Sequence, residues 1–272
     1  MAFDYDRYLR VDRLPHIWCP GCGHGIIFKS LLRSIHGLDI DKDDVMLVSG
    51  IGCASRLPGY ADFNTLHTTH GRALSFATGI KVIKPHLHVI VTSGDGDAVA
   101  IGGNHFIHTC RRNIDMTLIL FNNSIYGMTG GQVSPTTPFG SLASTAPWGN
   151  LSMNFDFVKL AQGAGATFVA RASTYHVKLL DKIITKAIAH KGFSVVEVLE
   201  DCPTAYGRRN KMRGPVQMMK LWKDNCVMID ALDKLPLEEA KEKIPIGIFS
   251  ETTRQEFIDE LHQVAQRAMG EE

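Results

Sequence analysis

The stretch His88-Val89-Ile90-Val91-Thr92-Ser93-Gly94-Asp95-Gly96 decides the fold. Its first six residues are apolar or small on both faces, which is typical of a buried strand in a parallel sheet. After a predicted helix over about residues 98–111, a second apolar run at 116–121 is followed directly by Asn122-Asn123. A strand, a helix and a strand in this order form a βαβ unit. The sequence therefore predicts an α/β fold.

The same alternation of strands and helices continues along the chain. A strand is predicted at Val45–Ser49 and a helix at Ala73–Ile83; beyond a polar loop over 122–153, a helix, a strand, a helix and a strand follow at about 155, 167–170, 175–190 and Phe193–Leu199. We expect one parallel β-sheet with helices on both faces within a domain over residues 1–231. Residues 232–272 are predicted to form a C-terminal tail with a terminal amphipathic helix over 254–269.

Composition excludes several functional classes. The chain has 272 residues, of which 44% are hydrophobic, and a formal net charge of +1, so no overall field favours nucleic acid or a membrane surface. No apolar run approaches the roughly 20 residues of a membrane helix. The opening MAFDYDRYLRVDR has no apolar signal core. We expect a cytoplasmic protein without a nucleic-acid or membrane partner.

Oxygen ligands follow two of the predicted strands. Asp95 offers a carboxylate, Asn123 an amide oxygen and Ile125 a backbone carbonyl, and magnesium prefers such oxygens together with phosphates. Gly94 and Gly96 would let the backbone approach a phosphate. Gly-Asp-Gly is also common turn chemistry, but the asparagine pair at βαβ spacing favours a magnesium and diphosphate site.

Four of the six cysteines are predicted to converge at the same edge of the sheet. Cys19 and Cys22 lie on a Gly/Pro turn, Cys53 follows the first strand in Gly50-Ile51-Gly52-Cys53-Ala54-Ser55, and Cys202 follows the strand Phe193–Leu199. Spacing alone does not separate zinc from a 4Fe-4S cluster, because both use four thiolates. On the residues alone, zinc is the favoured occupant of the four thiolates. The other two cysteines, Cys110 and Cys226, are expected to be ordinary buried thiols.

Three polar residues are candidates for the same site, each with a simpler alternative. His70 is an active-site candidate, unless it is a satisfied histidine beside a helix capped by Thr69. His24 could reach a diphosphate or cap a local turn. Asp97 is interpreted as an acid at a helix N-terminus or as a group that orients a ligand.

Arginines supply two further candidates. Arg56 follows Cys53 by three residues and could bind the distal carboxylate of a dicarboxylic substrate, or it is a solvated surface side chain. The basic run Arg208-Arg209 with Lys211 and Arg213 is either a solvent-exposed loop or a docking site for an acidic protein partner.

These motifs together resemble the β subunits of 2-oxoacid:ferredoxin oxidoreductases, closest to the 2-oxoglutarate type, from the N-terminus to about residue 231. The resemblance rests on Cys19-Pro20-Gly21-Cys22-Gly23, the Gly50–Cys53 run, Thr69-His70-Gly71-Arg72, Gly94-Asp95-Gly96 with Asn122-Asn123, and the run from Tyr126 to Thr136. It implies oxidative decarboxylation of 2-oxoglutarate with coenzyme A to succinyl-CoA and CO2. Electrons would pass through a 4Fe-4S cluster to ferredoxin, which is the acidic partner that the basic run after Cys202 could bind.

The resemblance also implies cofactors and ligands. Magnesium would be held by Asp95, Asn123 and the Ile125 carbonyl, and the cluster by Cys19, Cys22, Cys53 and Cys202. Thiamine diphosphate would lie among the following residues: His24, Gly52, Ser55, His70, Gly94, Asp95, Gly96, Asp97, Asn123, Ile125 and Thr129. A partner α subunit, in an α2β2 heterotetramer, would supply the glutamate that activates the aminopyrimidine, because this chain has only one nucleotide-like domain.

Three alternatives stay open at the level of sequence. The substrate could be pyruvate or a broad range of 2-oxoacids. The chain could instead belong to a non-redox thiamine lyase or synthase in which the four cysteines hold structural zinc. It could also be a metal-stabilised scaffold subunit with a vestigial cofactor site.

Overall fold

A computed structural model describes residues 3–212 and 214–270. Within these residues, an eight-stranded sheet has the order β2-β1-β3-β4-β6-β5-β8-β7. The strands are β1 Val45–Ser49, β2 Asn64–His67, β3 His88–Gly94, β4 Met116–Asn122, β5 Phe168–Ser173, β6 Phe193–Leu199, β7 Cys226–Met228 and β8 Ile244–Glu251. Strands β1 to β6 pair in parallel, whereas β8 runs antiparallel to β5.

Helices cover both faces of the sheet. The helices are α1 His24–Gly37, α2 Ala73–Ile83, α3 Gly103–Arg112, α4 Phe157–Gly163, α5 Val177–Ala189, α6 Pro215–Asn225, α7 Ile229–Leu232, α8 Leu237–Glu242 and α9 Phe257–Met269. Helices α1 and α5 pack on one face, and α2, α3, α4 and α9 pack on the other. This two-sided burial explains why the strands are continuous apolar runs. The predicted fold class is confirmed.

One predicted helix differs locally from the structure, and one edge strand was not predicted. The helix expected over 98–111 is a π-helix at Gly96–Ile101 followed by α3. The chain changes direction at Gly102, where a Cβ would lie 2.5 Å from the Asp97 carbonyl oxygen. The helix predicted at Ala73–Ile83 is present as α2 with the same bounds, and it begins without a side-chain cap. Residues Asn64–His67 before it form the edge strand β2, which the sequence did not predict.

The C-terminal segment contributes to the sheet. The predicted terminal helix is present as α9, but residues 232–272 also contain β8, which pairs with β5. This strand makes the segment part of the central sheet, whereas the sequence predicted an appended tail. Pro245 and Gly247 within β8 weaken its strand pattern, and this is why it was missed.

Length and hydropathy of the helices bear on membrane insertion. Across residues 3–212 and 214–270, no helix combines the length and the apolar character needed to cross a bilayer.

Candidate active site and metal centre

One cavity opens where four neighbouring parallel strands end. Strands β1, β3, β4 and β6 lie side by side, so their carboxyl ends meet at one edge of the sheet. The cavity is lined by His24, Ile51, Gly52, Cys53, Ala54, His70, Gly94, Asp95, Gly96, Asp97, Phe121, Asn123 and Ile125 to Thr129. Every residue that the sequence placed around the cofactor lines this cavity except Ser55.

Asp95 is a buried carboxylate at the end of β3. Thr136 Oγ1 donates to Asp95 Oδ2 at 2.5 Å, which ties the long loop after β4 to the floor of the cavity. Burial raises the pKa of Asp95 to about 6, while hydrogen bonds from Ser134 and Thr136 oppose the rise. A cation beside Asp95 would reverse this penalty, because it favours the charged carboxylate.

Asn123 presents an unpaired oxygen in the cavity wall. Its Nδ2 donates to Glu200 Oε1 at 3.1 Å, whereas Oδ1 is buried and has no hydrogen-bond partner among the described residues. A buried acceptor left unpaired is costly, and a metal ligand satisfies it. Asp95 and Asn123 thus fit magnesium in the chemistry of their donor atoms.

Tyr126 closes over Gly96 at the mouth of the cavity. Tyr126 Oη donates to the Gly96 carbonyl oxygen at 3.1 Å, and a Cβ on Gly96 would lie 2.1 Å from the tyrosine ring. Glycine is therefore required at position 96 for this packing. This packing accounts for Gly96 in the Gly-Asp-Gly motif without any bound ligand.

Asp97 binds donors from three segments around the cavity: the loop after β1, the loop before α2 and the end of β3. Its Oδ1 accepts from the Ile51 and Gly71 backbone nitrogens at 3.2 and 2.7 Å and lies 2.5 Å from His70 Nδ1, and its Oδ2 accepts from Ser93 Oγ at 2.5 Å. This geometry favours the interpretation of Asp97 as an orienting group over that of a simple helix-terminal acid. His70 is held at the cavity edge.

The four cysteines that the sequence singled out lie together. Burial, and next to it the charge of Cys202, raises the pKa of the Cys53 thiol to about 11, and Cys19 contributes to the same rise. Burial also raises the pKa of Cys22, with smaller contributions from Glu200, Cys202 and Cys53. The four thiols therefore lie in one neighbourhood, and four thiolates are the donor set of both zinc and 4Fe-4S centres. Among the described residues, no three of the four sulfur atoms lie within 4.8 Å of one another.

The two remaining cysteines lie elsewhere. Cys110 is buried on α3 in the apolar layer between this helix and the sheet, and Cys226 in β7 packs with Leu199 and Ile246. Both are free thiols in separate clusters, as the sequence predicted.

A second possible metal-binding group overlaps the cysteine centre. Cys22 Sγ, His24 Nδ1 and a Glu200 carboxylate oxygen lie within 4.8 Å of one another. His24 Nδ1 is 2.8 Å from Cys22 Sγ and 3.0 Å from Glu200 Oε2, the latter without hydrogen-bond geometry. Because Cys22 belongs to both sets, a four-cysteine centre and this three-residue site cannot be filled together.

Glu200 was missed by the sequence analysis. It is fully buried between Asn123 and His24, and its Oε2 has no hydrogen-bond partner within the described chain. Gly23 leaves room for it, because a Cβ there would lie 2.7 Å from Glu200 Cβ. The available signal was an acidic residue directly after the strand Phe193–Leu199, at the edge where Asp95 and Asn123 also lie.

Three other predicted or considered residues lie outside the cavity lining. Ser55 is buried beneath it, and its Oγ is unpaired among the described residues. Arg56 is exposed on the short helix after Cys53. His67 Nδ1 lies 3.1 Å from both Ser49 Oγ and the Ser55 carbonyl oxygen, so it has a structural contact.

The basic run after Cys202 is partly structural. Arg209 donates to the carbonyl oxygens of Ala205 and Gly130, at 3.3 and 2.9 Å, and so fastens the loop after β4. Arg208 and Lys211 are exposed, and Arg213 lies outside the described residues. Docking of ferredoxin at this run stays a prediction.

The family comparison agrees with the fold and with the position of the cavity. Residues 50–198 match the family described as "Thiamine pyrophosphate enzyme, C-terminal TPP binding domain". This segment begins directly after β1 and contains β2 to β5 and β6 up to Val198. It also contains Asp95 and Asn123.

Similar proteins are known by sequence and by structure. The chain is 51% identical to the 2-oxoglutarate synthase subunit KorB of Methanocaldococcus jannaschii, over 97% of this chain and 98% of that protein. It is 41% identical to the 2-oxoacid:ferredoxin oxidoreductase subunit beta of Saccharolobus solfataricus, over 85% of this chain and 80% of that one. A solved 2-oxoglutarate:ferredoxin oxidoreductase from Magnetococcus marinus, with 2-oxoglutarate, coenzyme A and succinyl-CoA bound, superposes with a TM-score of 0.87 at 33% identity, covering 98% of this chain and 91% of that chain. The chain belongs to the β-subunit family of the 2-oxoacid:ferredoxin oxidoreductases, the family that contains the 2-oxoglutarate synthase subunit KorB.

Proposed function

We propose that this chain is the cofactor-carrying β subunit of a 2-oxoglutarate:ferredoxin oxidoreductase in the cytoplasm. The complex would convert 2-oxoglutarate and coenzyme A to succinyl-CoA and CO2 and pass the released electrons to ferredoxin. One observation carries the proposal: Cys53 lines the same cavity as Asp95 and Asn123, and the Cys202 thiol lies next to the lining residue Gly127, where a Cβ would be 3.3 Å from its sulfur. The relatives named for 2-oxoglutarate support the choice of substrate.

The chain's own residues would bind and orient the cofactors. Asp95, Asn123 and the Ile125 carbonyl would hold magnesium, and Gly94 and Gly52 leave the backbone open to the diphosphate. Thiamine diphosphate, when bound, supplies the carbanion chemistry that releases CO2, and a 4Fe-4S cluster supplies one-electron acceptance. The protein contributes position and electrostatics.

His70 and the loop after β4 would shape the substrate side of the cavity. Asp97 fixes the imidazole of His70 through Nδ1, which leaves Nε2 free to act towards a bound substrate. Tyr126 and Thr129 also line this side. We infer that this group excludes water from the reacting carbon and binds its oxygen substituents.

A partner subunit would complete the site. The carboxylates that line the cavity within the described chain are Asp95 and Asp97, and both are already engaged by donors from this chain. Activation of the aminopyrimidine would therefore use a glutamate from an α subunit, in an α2β2 assembly. Ferredoxin would accept electrons at the surface near Cys19, the exposed member of the four cysteines.

Copurification with the α subunit tests the proposal. The complex is expected to be brown, to contain iron and thiamine diphosphate, and to reduce viologen only when 2-oxoglutarate and coenzyme A are both present. Pyruvate, assayed beside 2-oxoglutarate, tests the broader 2-oxoacid activity that the Saccharolobus relative's name suggests. A colourless, zinc-containing complex would instead favour a non-redox thiamine enzyme.

A further inference from the structure

Glu200 faces the back of Asn123, the residue whose amide oxygen is suited to magnesium. Asn123 Nδ2 donates to Glu200 Oε1 at 3.1 Å, and Asn123 Oδ1 is buried without a partner among the described residues. The backbone of Glu200 lies directly beside the end of β4, because its nitrogen donates to the Asn122 carbonyl oxygen at 3.0 Å. The side chain of Glu200 is 0% exposed.

The chemistry of these two groups fixes the direction of the amide. A carboxylate oxygen accepts a hydrogen bond from the NH2 end of an asparagine, and here Asn123 Nδ2 is the donor to Glu200 Oε1. Pairing at Nδ2 turns Oδ1 away from Glu200. An asparagine without such a partner can rotate by 180° and present its NH2 group, which cannot bind a cation.

We propose that Glu200 is a positioning residue that selects the metal-binding orientation of Asn123. The inference rests on the proposed function, since it assigns a role towards magnesium at the same site. Glu200 is absent from the set of residues that the sequence singled out. Its effect would act through Asn123, without contact between Glu200 and the metal or the diphosphate.

A double-mutant cycle tests the proposal in the complex with the α subunit. Mg2+ and thiamine diphosphate are first removed from the complex. Thiamine diphosphate is then added back to saturation, and Mg2+ affinity is measured by calorimetry. Glu200→Met is expected to weaken Mg2+ binding about 10–100-fold, as is typical when an outer-shell partner of a metal ligand is lost. Asn123→Asp combined with Glu200→Met should recover most of the lost affinity, because a carboxylate presents oxygen in either rotation.

Two further variants separate orientation from other effects. Glu200→Gln can still accept from Asn123 Nδ2, so it should bind Mg2+ more tightly than Glu200→Met. Glu197→Gln alters a similar buried pair, in which Asn122 Nδ2 donates to Glu197 Oε1 at 2.7 Å, but Asn122 does not line the cavity. This control should leave Mg2+ affinity unchanged even where it lowers the unfolding midpoint.

The outcomes decide the proposal. Any one of three results would overturn it. Glu200→Met could bind Mg2+ with wild-type affinity, the Met and Gln variants could lose equal affinity, or the double variant could recover none. Binding of Mg2+ and thiamine diphosphate by the wild-type complex, together with any of these results, would leave the proposed function standing. Absence of that binding in the wild-type complex would overturn both.

Discussion

His70 Nδ1 lies 2.5 Å from Asp97 Oδ1, and the same carboxylate accepts from two backbone nitrogens and from Ser93. One buried acid thus connects the ends of β1 and β3 to the loop before α2. A Cβ on Gly50 would lie 2.1 Å from an Asp97 oxygen, so the loop after β1 is built around this carboxylate. The position of His70 depends on Asp97.

Replacing Asp97 with asparagine should disturb all of these contacts. An amide nitrogen cannot accept a hydrogen bond, so at least one buried donor loses its partner, at a cost of about 1–3 kcal/mol. We expect a lower unfolding midpoint and weaker thiamine diphosphate binding. His70→Phe, which removes only one donor, should cost less stability. Equal midpoints for Asp97→Asn and the wild type would contradict this account of Asp97.

The cysteine centre can be tested by single substitutions. Cys19, Cys22, Cys53 and Cys202 are each expected to be required for iron, so a Cys→Ser change at any of them should lower bound iron and abolish acceptor reduction. Cys110→Ser and Cys226→Ser are matched controls, because both thiols are buried elsewhere. Iron analysis and visible absorbance give the result. Full iron content in Cys202→Ser would refute the assignment.

Asp95→Ala should separate the two cofactors. The change removes the one charged protein ligand of the proposed magnesium site, so magnesium-dependent binding of thiamine diphosphate should be abolished. The loss of thiamine diphosphate affinity should exceed the roughly 10–100-fold effect that is typical when a residue behind a metal ligand is removed. Iron content should stay unchanged. Calorimetry with unaltered cofactor affinity would count decisively against the site.

Sequence reasoning reached the core of the fold because the central strands are buried on both faces. The runs that became β3 and β4 are apolar throughout, so their ends, Asp95 and Asn123, could be placed at one edge. The edge elements gave weaker signals: β2 has only four residues, and β8 contains Pro245 and Gly247. Their strand character comes from pairing with β1 and β5, which no local pattern encodes.

Site residues could be predicted where a motif directly follows a strand. They were harder to predict where their role depends on contacts between segments that are distant in sequence. Gly-Asp-Gly, the asparagine pair and the four cysteines marked the cavity. Glu200 carries no motif of its own, and its importance follows from contact with Asn123 and His24. The role of Asp97 was also undecided until its four donors could be identified.

Arg56 offers a test of substrate choice. It is exposed and outside the cavity lining of this chain, so its role towards a dicarboxylic substrate stays a prediction. A shielded pair with the distal carboxylate would contribute about 2–3 kcal/mol, or roughly 30- to 150-fold in specificity. Arg56→Leu should lower kcat/KM for 2-oxoglutarate by that factor and spare pyruvate. Equal losses with both substrates would make Arg56 structural.

His190 lies at the end of the sheet opposite the cavity, and we expect it to make the stability of the fold depend on pH. Burial lowers the pKa of His190, with smaller opposing effects of Glu251 and Asp115, and its Nε2 lies 2.9 Å from Thr167 Oγ1. The folded state therefore binds fewer protons than the unfolded state. Stability is complete above the unfolded pKa of about 6.5 and is lost as pH falls through the folded pKa.

His190→Gln should flatten this dependence. The unfolding midpoint of the variant should fall less than that of the wild type between about pH 7.5 and 5.5. His86→Gln, at an exposed histidine near the same end of the sheet, is the matched control. A steeper fall in His190→Gln than in the wild type would contradict the sign of the effect.

Single-turnover reduction of the cysteine centre tests the central claim most directly. The complex with the α subunit is mixed anaerobically with 2-oxoglutarate and coenzyme A, without any external acceptor, and the visible absorbance of the iron–sulfur centre is followed. We expect bleaching in the wild type, and none in Asp95→Ala, which retains iron but lacks the magnesium-dependent thiamine site. Release of CO2 from 2-oxoglutarate with no change in the centre's absorbance would contradict the proposal that the four cysteines hold the electron acceptor of this reaction.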